Sequence, residues 1–142
     1  AGKLSGVLTQ NIDGLHQKAG SVHVMELHGS VHRNYCMRCG KFYDARFMLE
    51  SEGIPTCSCG GMIKPDVVLY EEGLDQNILR DAVKTISEAD VMIVGGTSLA
   101  VYPAAGLLDY FRGSEVFRGK NYGSRAREML KNGMKTNVSF WK

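Results

Sequence analysis

Four cysteines form two close pairs, and this spacing is typical of a metal site. Cys36 and Cys39 are separated by two residues, and Cys57 and Cys59, which follow after 17 further residues, are separated by one. Two such pairs about 15–20 residues apart are characteristic of a tetrahedral zinc site with four thiolate ligands. A disulfide framework and four unrelated thiols are the alternatives, but no charged-then-apolar signal segment opens the sequence. The pattern predicts one structural zinc ion per chain, and it leaves no coordination position for His32.

Polar side chains that could bind a ligand follow several apolar segments. Thr9–His16 (TQNIDGLH) is dense in amide and carboxylate groups, which are costly to bury without partners. These groups predict either a polar ligand or a turn whose Asn and Asp side chains bond their own backbone. His28 ends a second apolar segment, and histidine transfers protons near neutral pH, although a lone histidine is more often structural. Gly95–Leu99 offers small residues and hydroxyls where backbone amides can hold an anion or a ribose.

Strands that end beside one another would be needed to bring these groups together. Hydrophobic patterning predicts strands at residues 5–10, 22–27, 66–70 and 90–94. It predicts helices at residues 45–52 behind Asp44, at residues 78–86 behind Asp75, and at residues 103–111. The alternation of strand and helix predicts parallel strands with right-handed crossovers. Residues 125–131 and 137–141 are a further candidate helix and strand.

Composition predicts a soluble intracellular protein of one modest domain, and the alternation of strands and helices predicts an α/β fold. The chain has 142 residues, 44% hydrophobic content and a formal net charge of +2. Its purely apolar runs, such as Val91–Val94, fall far short of the roughly 20 residues that span a bilayer, so no membrane segment is expected. We divide the chain into a portion of alternating strands and helices (residues 1–32 and 66–111), a zinc-binding module (33–65) and a basic tail (112–142). The tail carries 8 Lys and Arg against 2 acids, and we favour a solvated helix face over a nucleic-acid partner.

Several long segments resemble the sirtuin family of NAD-dependent protein deacylases. They are TQNIDGLHQKAG (9–20), ELHGS (26–30), the paired cysteines, KPDVVLYEE (64–72) and GGTSLAVYPAAGL (95–107). Their order and spacing agree with the family over residues 1–111. The resemblance implies a Rossmann-like parallel sheet with an inserted small zinc module, and a cleft between them for NAD and an acylated lysine of a protein or peptide.

The resemblance also implies roles for individual residues. His28 would be the general base that deprotonates a ribose hydroxyl of NAD, so that the acyl group passes from lysine to ADP-ribose and nicotinamide leaves. The residues implied at the nicotinamide and ribose end of NAD are Gln10, Asn11, Ile12 and Asp13. Those implied at its adenosine side are Gly96, Thr97 and Ser98. An extended substrate peptide would pair with Val67, Val68 and Leu69 by strand addition.

Both ends of the sequence depart from the family pattern. The family places a strand and a glycine-rich cofactor loop before TQNIDGLH, whereas this sequence starts eight residues before Thr9. We therefore expect an incomplete sheet with an open strand position and a divergent segment after Arg112. Glu71 stands where relatives often have glycine. A cytoplasmic deacylase is the leading hypothesis, and a catalytically incompetent zinc-containing module that binds a peptide or partner is the alternative.

Overall fold

The computed structural model describes residues 3–97 and 100–118 and the backbone of residues 136–140. In chain order the strands are β1 (Leu4–Thr9), β2 (Val24–Glu26), β3 (Gly29–Cys36), β4 (Phe42–Asp44), β5 (Ile63–Val67), β6 (Val91–Gly95), β7 (Glu115–Arg118) and β8 (Thr136–Phe140). The α-helices are α1 (Leu15–Lys18), α2 (Ala45–Glu50) and α3 (Gln76–Ser87), and a 3-10 helix covers Ala104–Tyr110.

Five of these strands form a parallel sheet in the order β2-β1-β8-β6-β7. The central strand is β8, in which Val138 lies opposite Val7 of β1 and opposite Ile93 of β6. The expectation of an open strand position is therefore wrong for the described residues. Because β8 pairs with both neighbours, it supplies hydrogen-bonding groups to two strand edges that would otherwise lack partners.

The second sheet is antiparallel, with the order β4-β3-β5. Its strand β3 begins at Gly29, which lies opposite Val67 of β5 and has a φ of 78°. A Cβ atom at Gly29 would overlap the carbonyl oxygen of Asp66. Only glycine permits this approach, which brings the segment after His28 against β5.

Sequence patterning located eight of the described elements, one of them with a shift, and it gave no prediction for α1, β3, β4 and β7. Helices α2 and α3 begin behind Asp44 and Asp75, as predicted, and the Asp75 carboxylate accepts hydrogen bonds from the backbone N–H groups of Asn77 and Ile78 at 2.7 and 3.1 Å. The strand predicted at residues 66–70 instead ends at Val67. The predicted helix at residues 103–111 is a 3-10 helix, and the one at 125–131 lies outside the described residues.

Two hydrophobic clusters correspond to the two sheets. The larger cluster packs β1, β2 and β6 against α3 and the 3-10 helix through buried residues that include Leu8, Leu27, Ile86, Met92 and Leu107. The smaller one contains Cys36, Cys57 and Ile63. No helix in the described part of the chain is long and apolar enough to cross a membrane.

Candidate functional site

The turn after β1 is held by local hydrogen bonds and by a contact from β3. Thr9 Oγ1 accepts from the Asn11 N–H at 3.0 Å, and Asp13 Oδ1 accepts from the Leu15 N–H at 3.0 Å. His32 Nε2 donates to the Asp13 carbonyl at 2.9 Å. The sequence left open whether these side chains bind a ligand or bond their own backbone. Asp13 Oδ1 bonds the backbone. The turn also presents polar side chains at the carboxyl end of β1, where open parallel sheets bind ligands.

His28 lies between β2 and β3 and is half-buried. Its Nδ1 is 3.2 Å from the Gln10 carbonyl oxygen. A carbonyl only accepts, so this contact requires the hydrogen on Nδ1 and leaves Nε2 of the neutral ring as a proton acceptor. The His28 carbonyl accepts from the Val68 N–H at 3.1 Å, which ties the histidine backbone to the segment after β5.

One cleft of about 670 Å³ brings most of the predicted site residues together. It is lined by Gln10, Asn11, Ile12, Asp13, His28, Val67, Val68 and Leu69, and also by Tyr70, Glu71, Glu72, Leu74, Val101, Tyr102 and Pro103. We call it the central cleft. Tyr102 and Pro103 come from the segment before the 3-10 helix, and sequence reasoning gave them no role. Their signal was their place in the segment GGTSLAVYPAAGL, which resembles the family.

The three residues predicted at the adenosine side of NAD are placed differently. Gly96 and Thr97 follow β6 and do not line the central cleft. They lie at the carboxyl edge of the same parallel sheet as the residues after β1. Their strand, β6, is separated from β1 by β8. Ser98 lies outside the described residues.

The four cysteines converge on one point in the small sheet. Their Sγ atoms all lie within 4.8 Å of one another, with Cys36 and Cys59 at 3.5 Å and Cys39 and Cys57 at 3.6 Å. A tetrahedral zinc ion with Zn–S bonds of about 2.3 Å separates its sulfur ligands by about 3.8 Å. These separations match that geometry, and they are far longer than a disulfide bond of about 2.05 Å. The residues therefore fit a zinc ion with four thiolate ligands.

Hydrogen bonds favour the charged form of two of the four thiols, whereas the other three sulfur atoms help to raise the pKa of Cys59 to about 12. The backbone N–H of Cys59 and the phenol of Tyr43, which donates to Cys57 Sγ at 3.0 Å, lower the pKa of Cys57 to about 6. The backbone amide of Cys39 is the main cause of a lowered pKa at Cys36. Thiolates are the form that binds zinc. Glycine makes room at the site, because a Cβ atom at Gly61 would lie 2.7 Å from Cys36 Sγ.

An ion-pair cluster that sequence reasoning missed connects β2 with the small sheet. Arg33 donates from Nη1 to Glu26 Oε2 at 2.7 Å and from Nε to Asp66 Oδ2 at 2.8 Å. Glu26 is only 6% exposed and comes two residues before His28, while Asp66 comes directly before Val67. Arg33 thus joins the two segments that carry the histidine and the predicted substrate strand. We call this cluster the Arg33 bridge.

Comparison with known proteins gives the family. The model of the Sir2 family matches residues 1–103. A protein of Clostridium perfringens named NAD-dependent protein deacetylase is 64% identical over 121 residues, which are 84% of this chain and 48% of that protein. The chain thus spans about half the length of the curated relatives that it matches.

Solved structures agree with the sequence relatives. A structure titled "Sir2-p53 peptide-NAD+" matches with a TM-score of 0.71 and 39% identity, over 94% of this chain and 56% of that one. A second, "Sir2 bound to acetylated peptide", matches with a TM-score of 0.73 and 37% identity, over 90% of this chain and 63% of that one.

Proposed function

The chain belongs to the Sir2 family, and from that premise we propose that it acts in the NAD-dependent removal of acyl groups from lysine side chains. Acyl-lysine, NAD and water would give lysine, acyl-ADP-ribose and nicotinamide. The reaction is an acyl transfer that cleaves an amide, so transferase and hydrolase descriptions both apply. The observation that carries the proposal is the central cleft, which His28 lines together with the residues after β1 and after β5.

His28 is the proposed general base. The Gln10 carbonyl holds its hydrogen on Nδ1, so Nε2 can take a proton from a ribose hydroxyl. NAD, when bound, supplies the ribose that receives the acyl group and the nicotinamide that leaves.

The polar side chains after β1 are the proposed contacts of the nicotinamide and ribose. Gln10 and Asn11 offer amide donors and acceptors, and Asp13 keeps Oδ2 for a hydroxyl while Oδ1 bonds Leu15. Ile12 adds an apolar surface for the ring. Gly96, Thr97 and Ser98 are the proposed contacts on the adenosine side, where a backbone without large side chains allows close approach.

The segment Val67–Leu69 is the proposed binding strand for the substrate peptide. In the described part of the chain β5 is an edge strand, because the small sheet has the order β4-β3-β5. The Val68 N–H donates to the His28 carbonyl, so the backbone N–H and carbonyl of Val67 point to the open side of the strand. The N–H and carbonyl of Leu69 are hydrogen-bonded to Glu72, so Val67 offers the free backbone groups for peptide pairing. A peptide that adds at this edge places an acyl-lysine side chain beside His28.

The zinc ion has a structural role in this proposal. Cys36, Cys39, Cys57 and Cys59 would supply all four ligands of a tetrahedral zinc ion, which would leave no position for an activated water. We also propose a cytoplasmic location, because cysteines kept as thiols for zinc are typical of a reducing compartment.

Nicotinamide release tests the proposed function directly. The purified protein is incubated with NAD and a neutral acetyl-lysine peptide, and the parent is compared with His28→Gln and with the matched variant His23→Gln, which lies outside the central cleft. We expect release by the parent and by His23→Gln and a loss of at least 100-fold in His28→Gln. Absence of release by the parent, or equal rates for parent and His28→Gln, contradicts the proposal. Peptide binding without any release would instead favour a peptide-binding module.

A further inference from the structure

The turn after β5 has an unusual residue at a position that favours glycine. The Leu69 carbonyl accepts from the Glu72 N–H at 3.1 Å, which closes a four-residue turn. Glu71 is its third residue and has a φ of 69°, the only positive φ among the described non-glycine residues. Turns of this kind require positive φ at the third position and therefore favour glycine there. A glutamate at this position calls for an explanation beyond the backbone.

The same turn is fixed to β5 by the neighbouring carboxylate. Glu72 Oε2 accepts from the Leu69 N–H at 2.9 Å, and Lys64 Nζ donates to both Glu72 oxygens at 2.8 and 3.0 Å. The lysine and the backbone amide lower the pKa of Glu72 and compensate its charge. Glu71 is consequently carried on an anchored turn next to the proposed peptide strand.

The charge that Glu71 brings to the central cleft is not compensated by a basic lining residue. The charged side chains of the lining are Asp13, Glu71 and Glu72, and the described lining contains neither lysine nor arginine. Within residues 3–97 and 100–118 no ion pair involves Glu71. The peptide side of the cleft is therefore net negative even after Lys64 neutralises Glu72.

We propose that Glu71 is a specificity residue that selects acyl-lysine peptides with a lysine or arginine next to the acyl-lysine. This inference rests on the proposed function of the cleft. An acylated lysine is neutral, so the charge of a substrate peptide comes from its flanking residues. A peptide added along the edge of β5 passes the turn that carries Glu71, and an unmodified cation there meets the uncompensated carboxylate.

Peptide affinity measures the effect without requiring catalysis. Three acetyl-lysine peptides that differ only in having Arg, Gln or Glu beside the acetyl-lysine are titrated into the protein with calorimetric detection. The parent should bind the Arg peptide about two- to five-fold more tightly than the Gln peptide and the Glu peptide less tightly, as for a solvent-exposed ion pair. The preference should shrink at high salt.

Two substitutions at the same position separate charge from backbone conformation. Glu71→Gln removes the charge and keeps the side-chain length and the positive φ, whereas Glu71→Gly also relieves the turn. Both should lose the preference for the Arg peptide. Glu52→Gln makes the same charge change in the loop between α2 and β5, outside the cleft, and should retain the preference.

The outcomes separate this inference from the proposed function. Equal affinity for the three peptides, a preference that survives Glu71→Gln, or no binding of any peptide would overturn the specificity role. Nicotinamide release from the Gln peptide reports on catalysis independently. Release without a charge preference overturns only the inference about Glu71, and a charge preference without release overturns only the proposed reaction.

Discussion

At the scale of single residues, the site depends on side chains that backbone groups orient. The Gln10 carbonyl sets the tautomer of His28, the Leu15 amide holds Asp13, and the Leu69 amide holds Glu72. Each contact joins residues that are close in sequence or lie at adjacent strand ends. Side-chain position in this cleft is therefore sensitive to backbone conformation.

Glu71→Gly should stabilise the folded protein. A non-glycine residue in the left-handed region costs about 1–2 kcal/mol, and the extra flexibility of glycine in the unfolded chain offsets about 0.5–1 kcal/mol of the relief. We expect a gain of about 0.5–1 kcal/mol in the free energy of unfolding, measured by urea denaturation. Glu71→Gln should give no gain. A destabilised Glu71→Gly variant would show that contacts of the Glu71 side chain stabilise the folded protein by more than the positive φ destabilises it.

His23 should make stability depend on pH. Its Nδ1 contacts the Ser5 carbonyl and its Nε2 contacts Asp81, each at 2.8 Å, and these bonds raise its pKa above 6.5. A raised pKa in the folded state gives stabilisation that is complete below about pH 6.5 and is lost as pH rises through the folded-state pKa. Both side chains are exposed, so water screens the pair and the effect is small.

Unfolding free energies at pH 6 and pH 8 check this dependence. The loss between the two values should be smaller in Asp81→Asn than in the parent, because a neutral amide no longer favours protonated His23. Glu52→Gln, a matched acid removal in the loop between α2 and β5, should behave like the parent. An unchanged pH dependence in Asp81→Asn would exclude the His23 pair as its source.

At the scale of elements, two contacts determine how β2, β3 and β5 meet. They are the Arg33 bridge and the close backbone contact of Gly29 with Asp66. Glu26 ends β2, Arg33 lies within β3, and Asp66 lies within β5. A register shift in the pairing of β3 with β5 between Ser30 and Asn34 includes the position of Arg33. The bridge therefore spans an irregular part of the sheet where regular backbone pairing is interrupted.

Arg33→Met should destabilise the protein by about 2–3 kcal/mol, because it leaves the buried Glu26 carboxylate without its cation. Adding Glu26→Gln to this variant should recover part of the loss by removing the unpaired charge. Arg46→Ala breaks an exposed pair with Glu50 and should cost less than about 0.5 kcal/mol. Urea denaturation measures all three. Equal effects of Arg33→Met and Arg46→Ala would contradict a structural role for the bridge.

Val138→Pro tests the central position of β8. Proline removes a backbone N–H and is poorly tolerated in a strand with neighbours on both sides, so we expect a loss of about 3 kcal/mol or more. Val138→Ala keeps the amide and serves as the control in the same unfolding experiment. If the two variants are equally stable, β8 does not pair with both β1 and β6.

At the scale of the whole molecule, two sheets with separate hydrophobic clusters meet at the central cleft. The parallel sheet contributes the residues after β1, and the small sheet contributes the segment after β5. The small sheet has only a few buried apolar residues of its own. Zinc is therefore expected to supply much of its stability.

Zinc removal should loosen the small sheet selectively. Elemental analysis should find about one zinc per chain, and strong chelation should speed amide hydrogen exchange in β3, β4 and β5 more than in β1 and β6. Cys39→Ser should have the same effect as chelation. Met37→Leu changes an exposed side chain between the ligands Cys36 and Cys39 and should leave the exchange rates unchanged. A metal-free protein with unchanged exchange after chelation would contradict the four-thiolate site.

The sequence by itself determined the features that depend on neighbouring residues. The two cysteine pairs predicted the thiolate cluster, and Asp44 and Asp75 predicted the starts of α2 and α3. These features are local because capping and close ligand pairs need only a few residues of chain.

Only the tertiary structure decided the features that join distant segments. It placed β8 between β1 and β6, it joined Glu26, Arg33 and Asp66, and it ended β5 at Val67. The sequence predicted a strand as far as Tyr70 because Val68–Tyr70 are residue types that favour strands. In the structure the Leu69 N–H donates to the Glu72 carboxylate, and the chain turns there. Long-range pairing depends on which surfaces remain available when the whole chain packs, and spacing along one segment does not carry that information.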